Sequence, residues 1–331
     1  MNITIIGAGS WGCGLAKILA DNSHNVMLYD LDKQAVDNIN NFHKCAKLPD
    51  GKLPENVFAT NKLITALDFS TIIIICLPTK AIRAVLKEIN KNLADKKLFV
   101  NTSKGVEPDS LKCVSEIVRE EIDSAYIKGY VALCGPTHAE EVIEQKLTLA
   151  SSVSENYEDA KVIQKLFSNE TYFRVYTSDD VIGTELCSAV KNVYALASGM
   201  LEGLGYGDNA KAGLISRALL EIRQIVLAFG GKESSIFGLT GIGDLIATCM
   251  SPHSRNYQAG IQLAKGSNID EAVSSVHMVV EGVRTAMSIH QACVKHKLNC
   301  PIIEAIYNVV YLKHDVKSEL GLLMKHELRA E

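Results

Sequence analysis

Apolar and polar positions along the chain follow two different rhythms, and the change falls near residue 178. Before it, apolar runs of strand length recur at 2–6, 25–29, 71–76, 98–101, 130–133, 149–153 and 172–176. Between several of them, apolar residues repeat at helical spacing over 13–20, 33–42, 81–93 and about 108–122. The run at 72–75 is continuous rather than alternating, the pattern of a strand covered on both faces. A polar loop with Pro49 and Pro54 and a turn at Gly135-Pro136 punctuate the series. Strands alternating with helices predict an α/β fold with a doubly wound parallel sheet. Beyond 178 the strand-like runs stop, and periodicity predicts helices over 179–202, 211–229, 241–250, 254–264, 282–298 and 301–313. The expected organisation is an α/β domain over 1–178 followed by an all-helical domain over 179–331.

The first run leads straight into Gly7-Ala8-Gly9-Ser10-Trp11-Gly12. A glycine turn between strand and helix lets the backbone approach a pyrophosphate, and the helix N-terminus points its N–H groups at the anion. The next run ends at Asp30, 18 residues past Gly12, where a carboxylate can accept from ribose hydroxyls. Strand, turn, helix, strand and acid in this order predict a Rossmann-like dinucleotide site built on Gly7, Gly9, Gly12 and Asp30.

The 331 residues suit two domains, and 47% apolar content suits a large core. A net charge of −4 gives no basic field for nucleic acid. The longest purely apolar run is six residues, at 72–77, so membrane insertion is not expected. The N-terminus lacks a basic leader, and the nine scattered cysteines include no C-x-x-C, so a cytoplasmic, reduced protein is expected. His290, Cys293, His296 and Cys300 have ligand-like spacing, but successive steps along a helix carry them around its surface; no metal site is expected.

Two loops lie at the carboxyl ends of strands, where such sheets bind ligands. One is Asn101-Thr102-Ser103-Lys104-Gly105, the other Cys134-Gly135-Pro136-Thr137-His138-Ala139. Lys104 is a candidate substrate contact; Thr137 could also be only a helix cap. In the second half, Lys191 is the only charge between 186 and 201. A helix apolar nearly all round is buried, and burial penalises the charged form of a lysine, which suits proton transfer. Snorkelling to a surface is the plainer alternative. Asp244, the only charge over 236–250, needs a cation, for which Lys191 is the candidate, or it caps the helix that follows. Ser254-Arg255-Asn256 opens another helix and suits phosphate. Glu281, after Val279-Val280, precedes one more.

Together GAGSWG at 7–12, TSKG at 102–105, CGPTHAEE at 134–141, AVKNVYA at 189–195, GIGDL at 241–245, SRN at 254–256 and VVEG at 279–282 resemble the bacterial NAD(P)-dependent glycerol-3-phosphate dehydrogenases. The resemblance covers nearly the whole chain, and VKN, GDL and SRN in combination are its specific part. It implies cofactor contacts at Ser10, Trp11, Lys104, Ala139, Arg255, Val279 and Glu281. It implies substrate contacts at Lys104, Gly135, Thr137, Lys191, Asp244, Ser254, Arg255 and Asn256. Lys191 would be the proton donor and acceptor, with Lys104 and Asp244 assisting. It further implies a phosphorylated small-molecule substrate, a cytoplasmic homodimer and supply of glycerol 3-phosphate for phospholipid synthesis.

The sequence departs from many bacterial members just past the second strand. Leu31, between Asp30 and Asp32, stands where a basic or imidazole side chain often meets a 2′-phosphate. NAD is therefore expected to be preferred, with NADP possible. Two rivals remain: a dehydrogenase of the 3-hydroxyacid or 6-phosphogluconate type, and a non-catalytic NAD(H) sensor.

Overall fold

The computed structural model describes residues 1–48, 51–108, 110–276 and 279–325. Pro49 and Asp109, within an expected loop and an expected helix, lie outside the described residues. The chain divides into two compact units, Met1–Glu107 with Lys112–Glu185, and Pro108–Leu111 with Leu186–Glu331.

In the first unit the order is β1 Asn2–Ile6, α1 Ser10–Asp21, β2 Asn25–Tyr29, α2 Lys33–Phe42, β3 Val57–Thr60, α3 Leu63–Phe69, β4 Ile72–Ile75 and α4 Thr79–Lys91. It continues with β5 Lys97–Asn101, α5 Val114–Glu121, β6 Ile127–Cys134, α6 Ala139–Ile143, β7 Thr148–Val153, α7 Tyr157–Phe167 and β8 Phe173–Ser178. The strands form one sheet ordered β3-β2-β1-β4-β5-β6-β7-β8. Strand order reverses between β1 and β4, which opens a ligand crevice beyond their carboxyl ends.

The sheet is doubly wound and parallel as expected except at one pair: β7 runs antiparallel to β6, pairing Leu133 with Ser152. Only the 13 residues 135–147 connect the two strands, with the short α6 among them, which is the scale of a short return rather than of a full crossover helix. Successive strand residues feed opposite cores. Ile72, Ile74, Leu98 and Val100 pack on one face, and Ile73, Ile75 and Phe99 on the other. That two-sided burial is why 72–75 is apolar without alternation.

The helix expected from about 108 begins at Val114 instead. Leu111 has φ 62°, and a capping box at Cys113 and Glu116 starts the helix there. Pattern reading passed over β3, α3 and α7, and in the second unit the short α12 Ile269–Ser275 and α15 Val316–Met324. The other helices are α8 Val181–Gly203, in which the division between the units falls, α9 Asp208–Ala228, α10 Asp244–Met250, α11 Arg255–Ala264, α13 Glu281–His296 and α14 Pro301–Leu312. Among the described residues beyond 178 there is no strand.

Candidate active site

The glycine turn is built by contacts that only glycine allows. Gly7 has φ 115°, and a Cβ there would lie 2.3 Å from the Cys76 carbonyl oxygen. A Cβ on Gly12 would lie 2.0 Å from the Gly7 carbonyl oxygen, so strand end and helix start are pressed together. Gly9 differs: a Cβ there meets nothing within 4 Å. The protein's own packing does not demand glycine at that position, whereas close approach by a ligand does. Gly9 is also the N-cap of α1, and no side chain caps that helix; an uncapped helix start of this kind suits an anion.

Asp30 braces this loop from β2: its Oδ2 accepts from Ala8 N at 2.8 Å and its Oδ1 from Asp32 N at 3.0 Å. Each oxygen keeps a lone pair for a ribose hydroxyl. Leu31 is 78% exposed, and the Asp32 carboxylate caps α2 through Gln34 N and Ala35 N. Ser10 Oγ donates to Lys47 O at 3.2 Å. Trp11 packs on the core while its Nε1, buried, has no hydrogen-bond partner. The turn and its surroundings thus fit a dinucleotide.

The loops after β5 and β6 meet within the first unit. Lys104 Nζ donates to Gly135 O at 2.9 Å and to Thr137 Oγ1 at 3.1 Å. Thr137 does not cap α6; the N-cap is His138, and its side chain makes no cap bond. Ala139 is buried as the first residue of α6.

Sequence reasoning missed what holds Lys104 there. Asn101 Oδ1 accepts from Ser103 N at 2.9 Å, and its Nδ2 donates to Glu185 Oε1 at 2.9 Å. The fully buried Glu185 carboxylate also accepts from Ser115 Oγ and Tyr130 OH, each at 2.5 Å. Burial pushes the Glu185 carboxyl up, against the opposing pull of these donors. The available signal was an acid at the very edge of an apolar helical run.

In the second unit Lys191 and Asp244, 3% and 1% exposed, form an ion pair. Lys191 Nζ also donates to Thr248 Oγ1 at 2.9 Å, and that hydroxyl donates to the Asp244 carbonyl at 2.6 Å. Thr248 was not anticipated; it lies one helical turn after Asp244 and so shares its face. Asp244 is not an N-cap: Gly243 takes that place, after a π turn over Leu239–Gly243, and Asp244 is the first helical residue. The neighbouring Cys249 thiol is pushed up to about 12 by burial and stays protonated.

Ser254 caps α11, its Oγ accepting from Tyr257 N at 3.3 Å. Arg255 is exposed at the first helical position. Asn256 is buried and spans two elements, donating to Asn192 Oδ1 at 3.0 Å and accepting from Gly282 N at 2.8 Å. This ties the starts of α11 and α13 to the residue after Lys191. Val279 precedes α13, and Glu281 is its first residue. Of the histidine and cysteine set weighed as ligands, the His290 ring stacks on Tyr307 with centroids 3.9 Å apart, and Cys293 and Cys300 are buried thiols. Among the described residues no group of three or more His, Cys, Asp or Glu is placed to hold a metal ion.

Comparison with known proteins covers both units. Residues 2–160 match the model of the NAD-dependent glycerol-3-phosphate dehydrogenase N-terminus, and 180–320 that of its C-terminus. A curated glycerol-3-phosphate dehydrogenase [NAD(P)+] of Acholeplasma laidlawii is 45% identical over 331 residues, covering 100% of this chain and 99% of the relative. One from Bacillus anthracis is 44% identical over 333 residues, covering 99% and 98%. The crystal structure of glycerol-3-phosphate dehydrogenase from Coxiella burnetii superposes with a TM-score of 0.93 at 31% identity, covering 98% of this chain and 99% of that one.

Proposed function

The chain belongs to the NAD-dependent glycerol-3-phosphate dehydrogenase family and is an NAD(P)-dependent oxidoreductase of dihydroxyacetone phosphate and sn-glycerol 3-phosphate, and we propose that Lys191 moves the proton in that reaction. When bound, the nicotinamide supplies or accepts the hydride at the carbon bearing the reacting oxygen. Lys191, as ammonium, gives its proton to the developing alkoxide, and as amine it takes the proton back in the oxidative direction. Asp244 holds and orients that ammonium, and Thr248 fixes it from the same helix face. Lys104, held by Gly135 and Thr137, contacts substrate and cofactor and steadies negative charge on the reacting oxygen. The start of α11, with Ser254, Arg255 and Asn256, receives the phosphate through backbone N–H groups and the guanidinium fork. Binding energy from that remote group orients the carbonyl. A phosphate-selective helix start favours this substrate over an unphosphorylated hydroxyacid.

For the cofactor, Gly7, Gly9, Ser10, Trp11 and Gly12 receive the pyrophosphate and its surroundings, and Asp30 the ribose. Ala139, Arg255, Val279 and Glu281 are further nucleotide contacts. NAD is preferred over NADP, because an acid at the 2′ position accepts from a hydroxyl and repels a phosphate. The protein works as a cytoplasmic homodimer and supplies glycerol 3-phosphate for phospholipid synthesis. No helix among the described residues is long and apolar enough to cross a membrane.

The observation that carries the reading is the buried Lys191–Asp244 pair. Its test is turnover of Lys191→Ala with dihydroxyacetone phosphate and NADH. A fall in kcat of about 10²–10⁴ is expected for loss of the proton donor; near-normal turnover removes Lys191 from the role.

A further inference from the structure

A carboxylate removed from water must be met by donors or by a cation. Glu185, 3% exposed, is met by four donors: Asn101 Nδ2 at 2.9 Å, Ser115 Oγ and Tyr130 OH each at 2.5 Å, and Ser115 N at 3.2 Å. Ser115 and Tyr130 only satisfy the carboxylate. Asn101 does more, because it ends β5 three residues before Lys104.

A side-chain amide has one donor end and one acceptor end. With Nδ2 turned to Glu185, Oδ1 faces Ser103 N and accepts from it at 2.9 Å. Nδ2 also donates to Ser103 O at 3.3 Å. Turned over, the amide would set N–H against the Ser103 N–H, and oxygen against both Ser103 O and the Glu185 carboxylate. An ionised carboxylate only accepts, so it holds the amide the right way round. Ser103 Oγ in turn accepts from Leu77 N at 3.1 Å. Thr102 donates twice to Ile75 O, from its N–H at 3.0 Å and from its hydroxyl at 2.9 Å. The residue before Lys104 is therefore held at its N–H, its carbonyl and its hydroxyl. From that fixed point the Lys104 side chain reaches Gly135 O and Thr137 Oγ1. Every member of this chain of bonds lies in the first unit.

We propose that Asn101 and Glu185 are positioning residues for the reaction. The buried carboxylate orients the Asn101 amide, the amide holds Ser103, and Ser103 sets the point from which Lys104 meets the substrate. The proposal rests on the reading of Lys104 as the group that steadies charge on the reacting oxygen. A displacement of about 1 Å costs such a group on the order of 100-fold in rate.

The test is steady-state reduction of dihydroxyacetone phosphate by NADH, with the fold of each variant checked by circular dichroism and thermal melting. Asn101→Ala should lower kcat about 10–100-fold. KM should rise by a smaller factor, because Lys104 acts chiefly on charge that develops during the reaction. Tyr130→Phe takes a donor from the same carboxylate oxygen but leaves Asn101 its acceptor. It should lower the melting temperature as Asn101→Ala does, yet keep kcat near normal. Added to Lys104→Ala, Asn101→Ala should cause no further loss of kcat, since both changes act through one group. An equal loss of kcat in Tyr130→Phe, or losses that multiply when Asn101→Ala is added to an impaired Lys104→Ala, would reduce the network to a structural role and overturn the proposal. Should Asn101→Ala not fold, Asn101→Ser is read in the same way; its shorter hydroxyl still accepts from Ser103 N but gives up the bond to Glu185. Lys104→Ala with unchanged kcat/KM would sink the reading of Lys104 itself, and the proposal with it, whereas multiplying losses sink the proposal alone.

Discussion

A lysine and an aspartate removed from water must satisfy each other, and this sets what their substitutions do. Replacing only one of Lys191 and Asp244 leaves a buried charge without its partner, at a cost of about 3–5 kcal/mol. Lys191→Met with Asp244→Leu should therefore melt at a higher temperature than either single variant while remaining inactive. A thermal melt paired with a turnover assay checks this; a double variant less stable than both singles would argue against charge pairing as the reason for the cost. Arg255, exposed at the start of α11, has a different signature. Arg255→Ala should raise KM for dihydroxyacetone phosphate roughly 10–100-fold, the scale of one charge-assisted contact, with a smaller change in kcat. A variant defective only in kcat would move Arg255 away from the phosphate. Leu31→Arg should shift kcat/KM toward NADPH, because the new cation answers a 2′-phosphate; an unchanged NADPH to NADH ratio would detach Leu31 from cofactor choice.

The glycine turn and the start of α14 each carry a prediction about an element. Gly12→Ala puts a methyl group against the Gly7 carbonyl oxygen and should distort the β1–α1 junction itself. Gly9→Val places its side chain in space that the protein leaves open, so the fold should survive while NADH affinity falls. Circular dichroism beside NADH titration separates the two, and tight NADH binding by Gly9→Val would place the pyrophosphate elsewhere. At α14, Glu221 accepts from Ile302 N at 2.7 Å, Ile303 N at 3.2 Å and Tyr194 OH at 3.1 Å. Burial raises its carboxyl from 4.5 to about 7, opposed by these donors and by Arg217. The folded chain thus holds a proton that the unfolded chain has released, so this contribution is complete below about pH 4.5 and is lost as pH rises to about 7. The total is about 3 kcal/mol. Glu221→Gln should remove that decline from a series of denaturant melts; the same pH slope in the variant would assign it to other groups.

At the scale of the whole molecule, what could be read in advance follows from where burial leaves a mark. Strands buried on both faces, such as β4 and β5, announce themselves as apolar runs. The edge strand β3 does not, since Phe58 is 43% exposed and the strand has only four residues. The reversal at β7 was invisible because an apolar pattern has no direction. Lys191 and Asp244 stood out as single charges in apolar stretches, and the same logic flagged neither Thr248, a neutral residue, nor Glu185, at a run's edge. Their parts emerge only from the hydrogen bonds they accept and give. Light scattering checks the homodimer directly, with a mass of two chains expected and a persistent monomer contradicting it. The central claim is tested most directly by supplying purified protein with NADH and dihydroxyacetone phosphate and identifying the product. Equimolar loss of NADH and gain of sn-glycerol 3-phosphate is the predicted result; no oxidation of NADH with this acceptor, or oxidation only with an unphosphorylated ketoacid, would contradict it.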